Sequence, residues 1–232
     1  SRVGRPVCFV VTGLDTAPDG SVRPILSRRL AQERVLNYYL VHLRPGDILP
    51  ATVTHLEPFG AFVDIGCGLV SMIGIEHISV SRIPHPNLRF RPGQEIFVVI
   101  SAIDRAQRRF QLGHRELLGT WEENVRRFSP GMTVPGTIRG VQDYGLFVEL
   151  TPNLSGLAEY QDGLPDGTRV SVYIKSILPE RMKLKLLIID QLPPLTQPEP
   201  FSYFHTEGHL SVWHYAPPGC RKSGAVSQFD PL

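Results

Sequence analysis

Cysteine is scarce. Cys8, Cys67 and Cys220 are the only three in 232 residues, and no two stand at CxxC spacing. An odd, scattered set excludes a disulfide framework or a thiolate zinc site as the organising device, and a reduced, intracellular protein is expected. Long apolar runs are missing too. No stretch approaches the ~18 residues of a membrane-spanning helix, so no membrane partner is expected. Charge of one sign is weak, with 24 Lys and Arg against 22 Asp and Glu, a net of +2. The excess sits in residues 1–44, at +4, while residues 45–118 balance to 0 and residues 130–190 carry −1. A ligand held by phosphate neutralisation alone demands a more basic surface. Paired acid–base constellations, nucleophile elbows, phosphate loops and metal clusters are absent as well, so neither catalysis nor a cofactor is expected. His114-Arg115-Glu116 reads as a solvated corner.

Glycine and proline, by contrast, are plentiful at 21 each, and 42% of residues are apolar, which suits a β-rich, turn-rich globular chain. One stretch organises it, Glu57-Pro58-Phe59-Gly60-Ala61-Phe62-Val63-Asp64-Ile65. In an extended strand, Phe59, Ala61, Val63 and Ile65 share one face, and Glu57, Gly60, Phe62 and Asp64 share the other. A bulge at Gly60 would turn the Phe59 ring out beside Phe62. Two exposed neighbouring rings suit a stacking ligand such as a nucleobase, at about 1–3 kcal/mol per stack. The alternative is that both rings are buried. The pattern occurs twice, however. Asp143-Tyr144-Gly145-Leu146-Phe147-Val148-Glu149-Leu150 repeats the order aromatic, Gly, aliphatic, Phe, Val, acid, aliphatic 85 positions later.

The rest of the chain falls around these repeats. Residues 4–29 align with the closing strands of a repeat unit, with Asp19-Gly20 as a hairpin turn returning Val22–Leu26. Two strands alone are marginal, so this half-unit is expected to pack on a neighbour or to be preceded by further chain; Ser1, in place of Met, fits a fragment or processed product. Ser27 to Leu40 reads as a linker helix capped by Ser27. Its Arg28, Arg29 and Arg34 are either a solvated face or a phosphate-tracking stripe. Strands are expected at Ile48–Leu56, Ala61–Ile65, within Val70–Ile75, at Glu95–Ile103 and at Arg109–Leu112, which fits a five-stranded Greek-key barrel. Thr120-Trp121-Glu122-Glu123 is a capping box opening a second linker helix, Trp121–Phe128. Leu192–Pro200 reads as a proline-rich linker. Phe201–His205 and His209–Tyr215, flanking Glu207-Gly208, are expected to form an aromatic hairpin folded back on the last barrel, and Arg221-Lys222 to lie in a disordered terminus. His205, Glu207, His209 and His214 make a poor metal set.

PGDILPATVTHLEPFGAFVDIGCG, followed by GIEHIS, PGQEIFVVISAID and a basic strand ending in Leu112, resembles the S1 RNA-binding motif, a five-stranded OB-fold. The resemblance is specific over 45–114, weaker over 130–190 and partial over 4–29. The long loop HISVSRIPHPNLRFRPG and the spacing of the units are similar to short bacterial ribosomal protein S1 homologues rather than to exonucleases. It implies a mostly β chain of tandem S1-type OB-fold barrels joined by short helices, with a truncated leading barrel half and a small C-terminal hairpin. The divisions are 1–44, 45–114, a linker at 115–129, a degenerate barrel at 130–190, and a linker and tail at 191–232. It implies an RNA face of two aromatics (Phe59 and Phe62), a histidine, an aspartate (Asp104) and an arginine (Arg109, with Arg108 beside it). The GIEHIS string places the histidine at His77 after a three-residue insertion, whereas an ungapped count lands on Gly74. The second unit offers Tyr144, Phe147 and Lys183, but has Glu159 in place of the histidine and Leu178 in place of the aspartate. An acid there repels phosphate, so weaker binding or protein docking is expected from it.

Two functions are thereby open. One is binding of single-stranded RNA, such as mRNA, in the cytoplasm in translation, with the small ribosomal subunit as a further partner. The other is a protein–protein adaptor on a ribosome or RNA-processing complex, favoured by the near-neutral charge.

Overall fold

The computed structural model describes residues 7–195, 199–221 and 223–230. Gly4-Arg5-Pro6 at the start of the expected half-unit, the middle of the proline-rich linker and Lys222 lie outside them.

The leading residues form an antiparallel hairpin, β1 (Val10–Thr16) with β2 (Val22–Ser27). Its turn closes with Ala17 N–H to Ser21 C=O at 2.9 Å, and Gly20 takes the positive φ of 81° that the turn requires. Val11, Leu14, Ile25 and Leu26 remain exposed, so the hairpin does not gain a core from its neighbours. Helix α1 (Arg28–His42) follows, and Ser27 Oγ accepts from Leu30 N–H at 3.1 Å as the cap.

Strands β3 (Ile48–Glu57), β4 (Gly60–Asp64), β5 (Val70–Gly74), β6 (Glu95–Asp104) and β7 (Arg109–Gly113) close into a barrel in the order β3-β4-β5-β7-β6. Four ladders are antiparallel, and a parallel contact of β5 with β7 shuts the sheet. Closure leaves no free edge. The two-residue alternation does the sorting. Ala61, Val63 and Ile65 point inward with Val53, Ile73, Val98, Ile100 and Leu112, and bury essentially completely. The second barrel repeats this with β8 (Thr133–Gln142), β9 (Gly145–Thr151), β10 (Leu154–Ala158), β11 (Arg169–Leu178) and β12 (Lys183–Gln191), around Ile138, Leu146, Val148, Val172, Ile174 and Leu184.

Between the barrels the expected linker helix is much shorter. A 3-10 turn at Arg115–Leu118 leads into α2, which covers only Trp121–Val125, although the Thr120–Glu123 capping box forms as the sequence predicts. Leu117, Leu118, Trp121 and Asn124 are buried. The junction is therefore packed interior rather than a spacer. The corner His114-Arg115-Glu116 is not solvated: His114 is 0% and Glu116 1% exposed. His114 Nδ1–H donates to the Ile78 carbonyl at 2.8 Å, leaving Nε2 to accept from the Tyr203 hydroxyl at 3.0 Å. Burial lowers the His114 pKa to about 4. Glu116 Oε1 accepts from Arg115 Nε at 3.0 Å and from Ser227 Oγ at 2.7 Å.

The C-terminal segment also departs from expectation. Phe201–His205 and His209–Tyr215 do not pair with each other. Instead β13 (Val212–His214) pairs with β14 (Val226–Gln228). The segment spans both barrels rather than folding back on the last. Phe201 and Tyr203 pack on His114, Trp213 packs with Ile48, Val99 and Leu117, and the Tyr215 hydroxyl donates to Asn153 C=O at 2.6 Å. Arg221 N–H donates to Glu180 C=O at 3.3 Å, so the terminus is tied down at that point. Buried Arg89, from the long loop of the first barrel, pairs with buried Glu149 of β9, and Arg139 Nε stands 3.6 Å from the same carboxylate. Asn153 accepts from Val80 N–H and donates to the Arg115 and Gly119 carbonyls. These contacts lock the two barrels together.

Candidate nucleic-acid interface

Glu57 pairs with Gly60 at the end of the β3–β4 hairpin, so Pro58 and Phe59 are its two connecting residues. Proline presets the turn and has no N–H to offer a ladder. Phe59 is carried off the sheet by this turn and is 56% exposed. The expected bulge at Gly60 is thus replaced by a tight turn, and the irregularity lies in β3 between Val53 and His55. Gly60 serves another purpose. A Cβ there would sit 2.4 Å from the Ile73 carbonyl oxygen, so only glycine lets β4 approach β5 so closely.

Phe62 stands next to Phe59, with ring centroids 6.2 Å apart and planes at 87°. Across the sheet Phe62 faces His55 in β3 and Met72 in β5, and Met72 faces Gln111 in β7. A row His55–Phe62–Met72–Gln111 thereby runs across the outer face of the barrel. Arg109, two residues before Gln111, shares that face. Phe59, Phe62 and Arg109 thus share one outer surface, with Phe59 at one rim and Arg109 toward the opposite end of the strands.

The other expected residues are engaged elsewhere. Asp104 Oδ1 accepts from Gln107 N–H at 2.8 Å and shapes the β6–β7 turn. Arg108, at a positive φ of 54°, donates to Asn37 Oδ1 of α1 at 2.6 Å. That bond turns it toward the linker helix. His77 ends the 3-10 turn after β5, with Nε2 3.5 Å from Glu76 Oε1 and Nδ1 buried without a partner.

His55, Met72 and Gln111 are the face residues that sequence reasoning missed. The signal for His55 was present. Taking Pro58-Phe59 as a two-residue turn pairs 57 with 60, 56 with 61 and 55 with 62. His55 lies 6.3 Å from the Phe62 ring centroid, and its Nε2 is 2.6 Å from Glu57 Oε1.

The second barrel reproduces the geometry. Asp143 and Tyr144 connect Gln142 to Gly145, whose φ is 151°. The Tyr144 and Phe147 centroids are 6.3 Å apart with planes at 87°, and the rings are 68% and 38% exposed. Phe147 faces Gly140 on one side and Leu157 on the other, and Leu157 faces Lys185. Lys183 is two residues away on the same face. The acid expected to repel phosphate, Glu159, is ion-paired with Lys175 at 2.9 Å. A cavity of about 940 Å³ opens here, lined by Tyr144, Phe147, Leu157, Lys183 and Lys185 and walled by Tyr215 of the C-terminal segment. Among the described residues no group of three or more His, Cys, Asp or Glu is placed to hold a metal ion, and His209 lies between Asp47 and Asp230 at 2.8 and 3.1 Å. No described helix is long and apolar enough to cross a membrane.

Residues 42–115 match the model of the S1 RNA binding domain. Over 212 residues the chain is 28% identical to the small ribosomal subunit protein bS1 homolog of Bacillus subtilis (strain 168), covering 84% of this chain and 54% of that protein. Over 191 residues it is 29% identical to small ribosomal subunit protein bS1 of Leuconostoc lactis, covering 75% and 44%. The chain spans about half the length of these relatives. Among solved structures, a multidomain protein with nucleic acid binding domains from Streptococcus pneumoniae TIGR4 is 14% identical, with a TM-score of 0.31, over 76% of this chain and 58% of that one. Residues 42–115 are thus similar to the S1 RNA binding domain, and over most of its length the chain is similar to small ribosomal subunit protein bS1.

Proposed function

We propose that the chain binds single-stranded RNA, mRNA included, by stacking bases on the outer faces of its two barrels, as a translation factor of the bS1 type acting in the cytoplasm at the small ribosomal subunit. The observation that carries this is the duplicated pair of accessible, perpendicular rings, Phe59 with Phe62 and Tyr144 with Phe147. Exposed rings in contact lose nothing when a base covers them and gain its stacking energy. Arg109 shares the face of the first pair, and Lys183 and Lys185 that of the second. His77, Asp104 and Arg108 contribute by shaping the surround, since their side chains are held by neighbours. The role is binding, and no reaction is assigned to it.

The near-neutral charge makes this a stacking-driven site with a shallow salt dependence. Titrating fluorescent RNA oligomers of about 4–16 nucleotides, the span of one OB-fold site, at two salt concentrations tests the reading. Saturable binding with little loss at the higher salt supports it. Absence of binding at either salt favours the adaptor reading, which has the exposed Val11, Leu14, Ile25 and Leu26 of the leading hairpin on its side.

A further inference from the structure

The far end of the first barrel, at the β4–β5 loop, carries a second kind of chemistry. Cys67 occupies the middle of Gly66-Cys67-Gly68, where all three residues take positive φ, at 130°, 53° and 79°. Glycine adopts this conformation freely, whereas a side chain there costs about 1–2 kcal/mol. The loop is held by Asp64, whose Oδ1 accepts from Gly66 N–H at 2.8 Å and Gly68 N–H at 3.0 Å, and by Gln32 Nε2, which donates to Gly68 C=O at 2.8 Å. The Cys67 thiol is therefore presented on a rigid turn. Facing it is Cys8, exposed, in the segment leading into β1. The two cysteines line one cavity of about 780 Å³ with Arg28 and Tyr39. The neighbouring Cys8 side chain, together with burial, holds the Cys67 pKa above its usual value. Cys220 is elsewhere, its Sγ 3.4 Å from the Glu180 carbonyl.

We propose that Cys8 and Cys67 form a reversible disulfide by exchange with a low-molecular-weight disulfide, fastening the leading hairpin to the first barrel. Exposed Cys8, as the thiolate, attacks one sulfur of the small disulfide. It forms a mixed disulfide and releases one small thiolate. Cys67, once deprotonated, attacks the Cys8 sulfur and displaces the second small thiolate. Two protons leave the protein thiols, and two electrons reduce the small disulfide to two thiols. An otherwise exposed hairpin with no core of its own gains a covalent tether. The aromatic face is untouched, because the Gly66–Gly68 loop and the Pro58-Phe59 turn lie at opposite ends of β4.

The test uses the full chain incubated with oxidised glutathione, followed by digestion and mass spectrometry without reduction. A peptide pair joining Cys8 to Cys67 should dominate, disappear on adding a reducing thiol, be lost in Cys8→Ser and in Cys67→Ser, and persist in Cys220→Ser. In Cys67→Ser, Cys8 should instead accumulate as the glutathione mixed disulfide. Denaturant should abolish the preference for this pair. The proposal is overturned if folded parent protein accumulates only glutathione adducts, or if links to Cys220 form as readily as the Cys8–Cys67 link.

Discussion

Replacing both rings of the first face, Phe59→Ala with Phe62→Ala, tests the stacking reading directly, and its size follows from the geometry. A base stack on an aromatic ring is worth about 1–3 kcal/mol. The planes meet at 87° with centroids 6.2 Å apart, so a base lying flat on one ring meets the other edge-on. The pair offers one full stack and one edge contact of about 0.5–1.5 kcal/mol, not two parallel shelves. The sum is about 1.5–4.5 kcal/mol, a loss of at least roughly 10-fold in affinity. The second face persists in the variant, so the observed loss should fall at the lower end for oligomers that reach both. The fold should survive: Phe59 sits in an exposed turn, and neither ring belongs to the core built on Val53, Val63, Ile73 and Leu112. Fluorescence anisotropy with a labelled single-stranded RNA gives the affinity, and circular dichroism melting confirms folding. A folded double variant binding within two-fold of the parent refutes the stacking argument.

Three further outcomes follow from the same structure. Arg89→Met strands Glu149 in the interface between the barrels and should cost about 3–5 kcal/mol in urea unfolding, softened by Arg139 at 3.6 Å, whereas Arg89→Met with Glu149→Leu should recover most of the loss. His114 has a folded pKa of about 4 against an ordinary 6.5, so above that ordinary value neither state binds the proton. As pH falls from there the unfolded chain takes it up first, and stability should drop by up to about 1.4 kcal/mol per pH unit. Denaturant melts between pH 7 and 5 should show this slope, and His114→Gln should flatten it. Tyr144→Ala with Phe147→Ala should weaken binding of long oligomers by about 10-fold while leaving short ones on the first face, measured by the same anisotropy assay.

Much of the barrel was legible because its signals are local. Five strands of the first barrel lie within about two residues of where alternation and turn residues put them, since each inward position needs only its own apolar side chain and a partner two residues on. The duplicated aromatic–glycine–aromatic string was enough to expect neighbouring rings. What carries Phe59 outward is the two-residue turn at Pro58-Phe59, and His55 joins the face by the register that this turn imposes. The rest of the expected site depended on where side chains go after the backbone is set. Asp104 turns back to its own hairpin, Arg108 reaches α1, and His77 sits beside Glu76.

By itself the sequence determined the strands of the first barrel, its repetition in a second and the recurrence of the ring pair, because period-two alternation and glycine or proline at the turns act over a few residues. The register at Pro58-Phe59, and with it the exposure of the rings, came only with the folded sheet. Tertiary structure alone decided how the barrels meet. His114 and Glu116, which read as solvated in the string, are buried, and so is Glu149, since their partners come from tens of residues away: Tyr203 for His114, Ser227 for Glu116, Arg89 for Glu149. The same holds for β13 and β14, which pair across a gap that composition does not mark. A polar group can enter an interior only when a distant group satisfies it, and no local pattern announces that meeting.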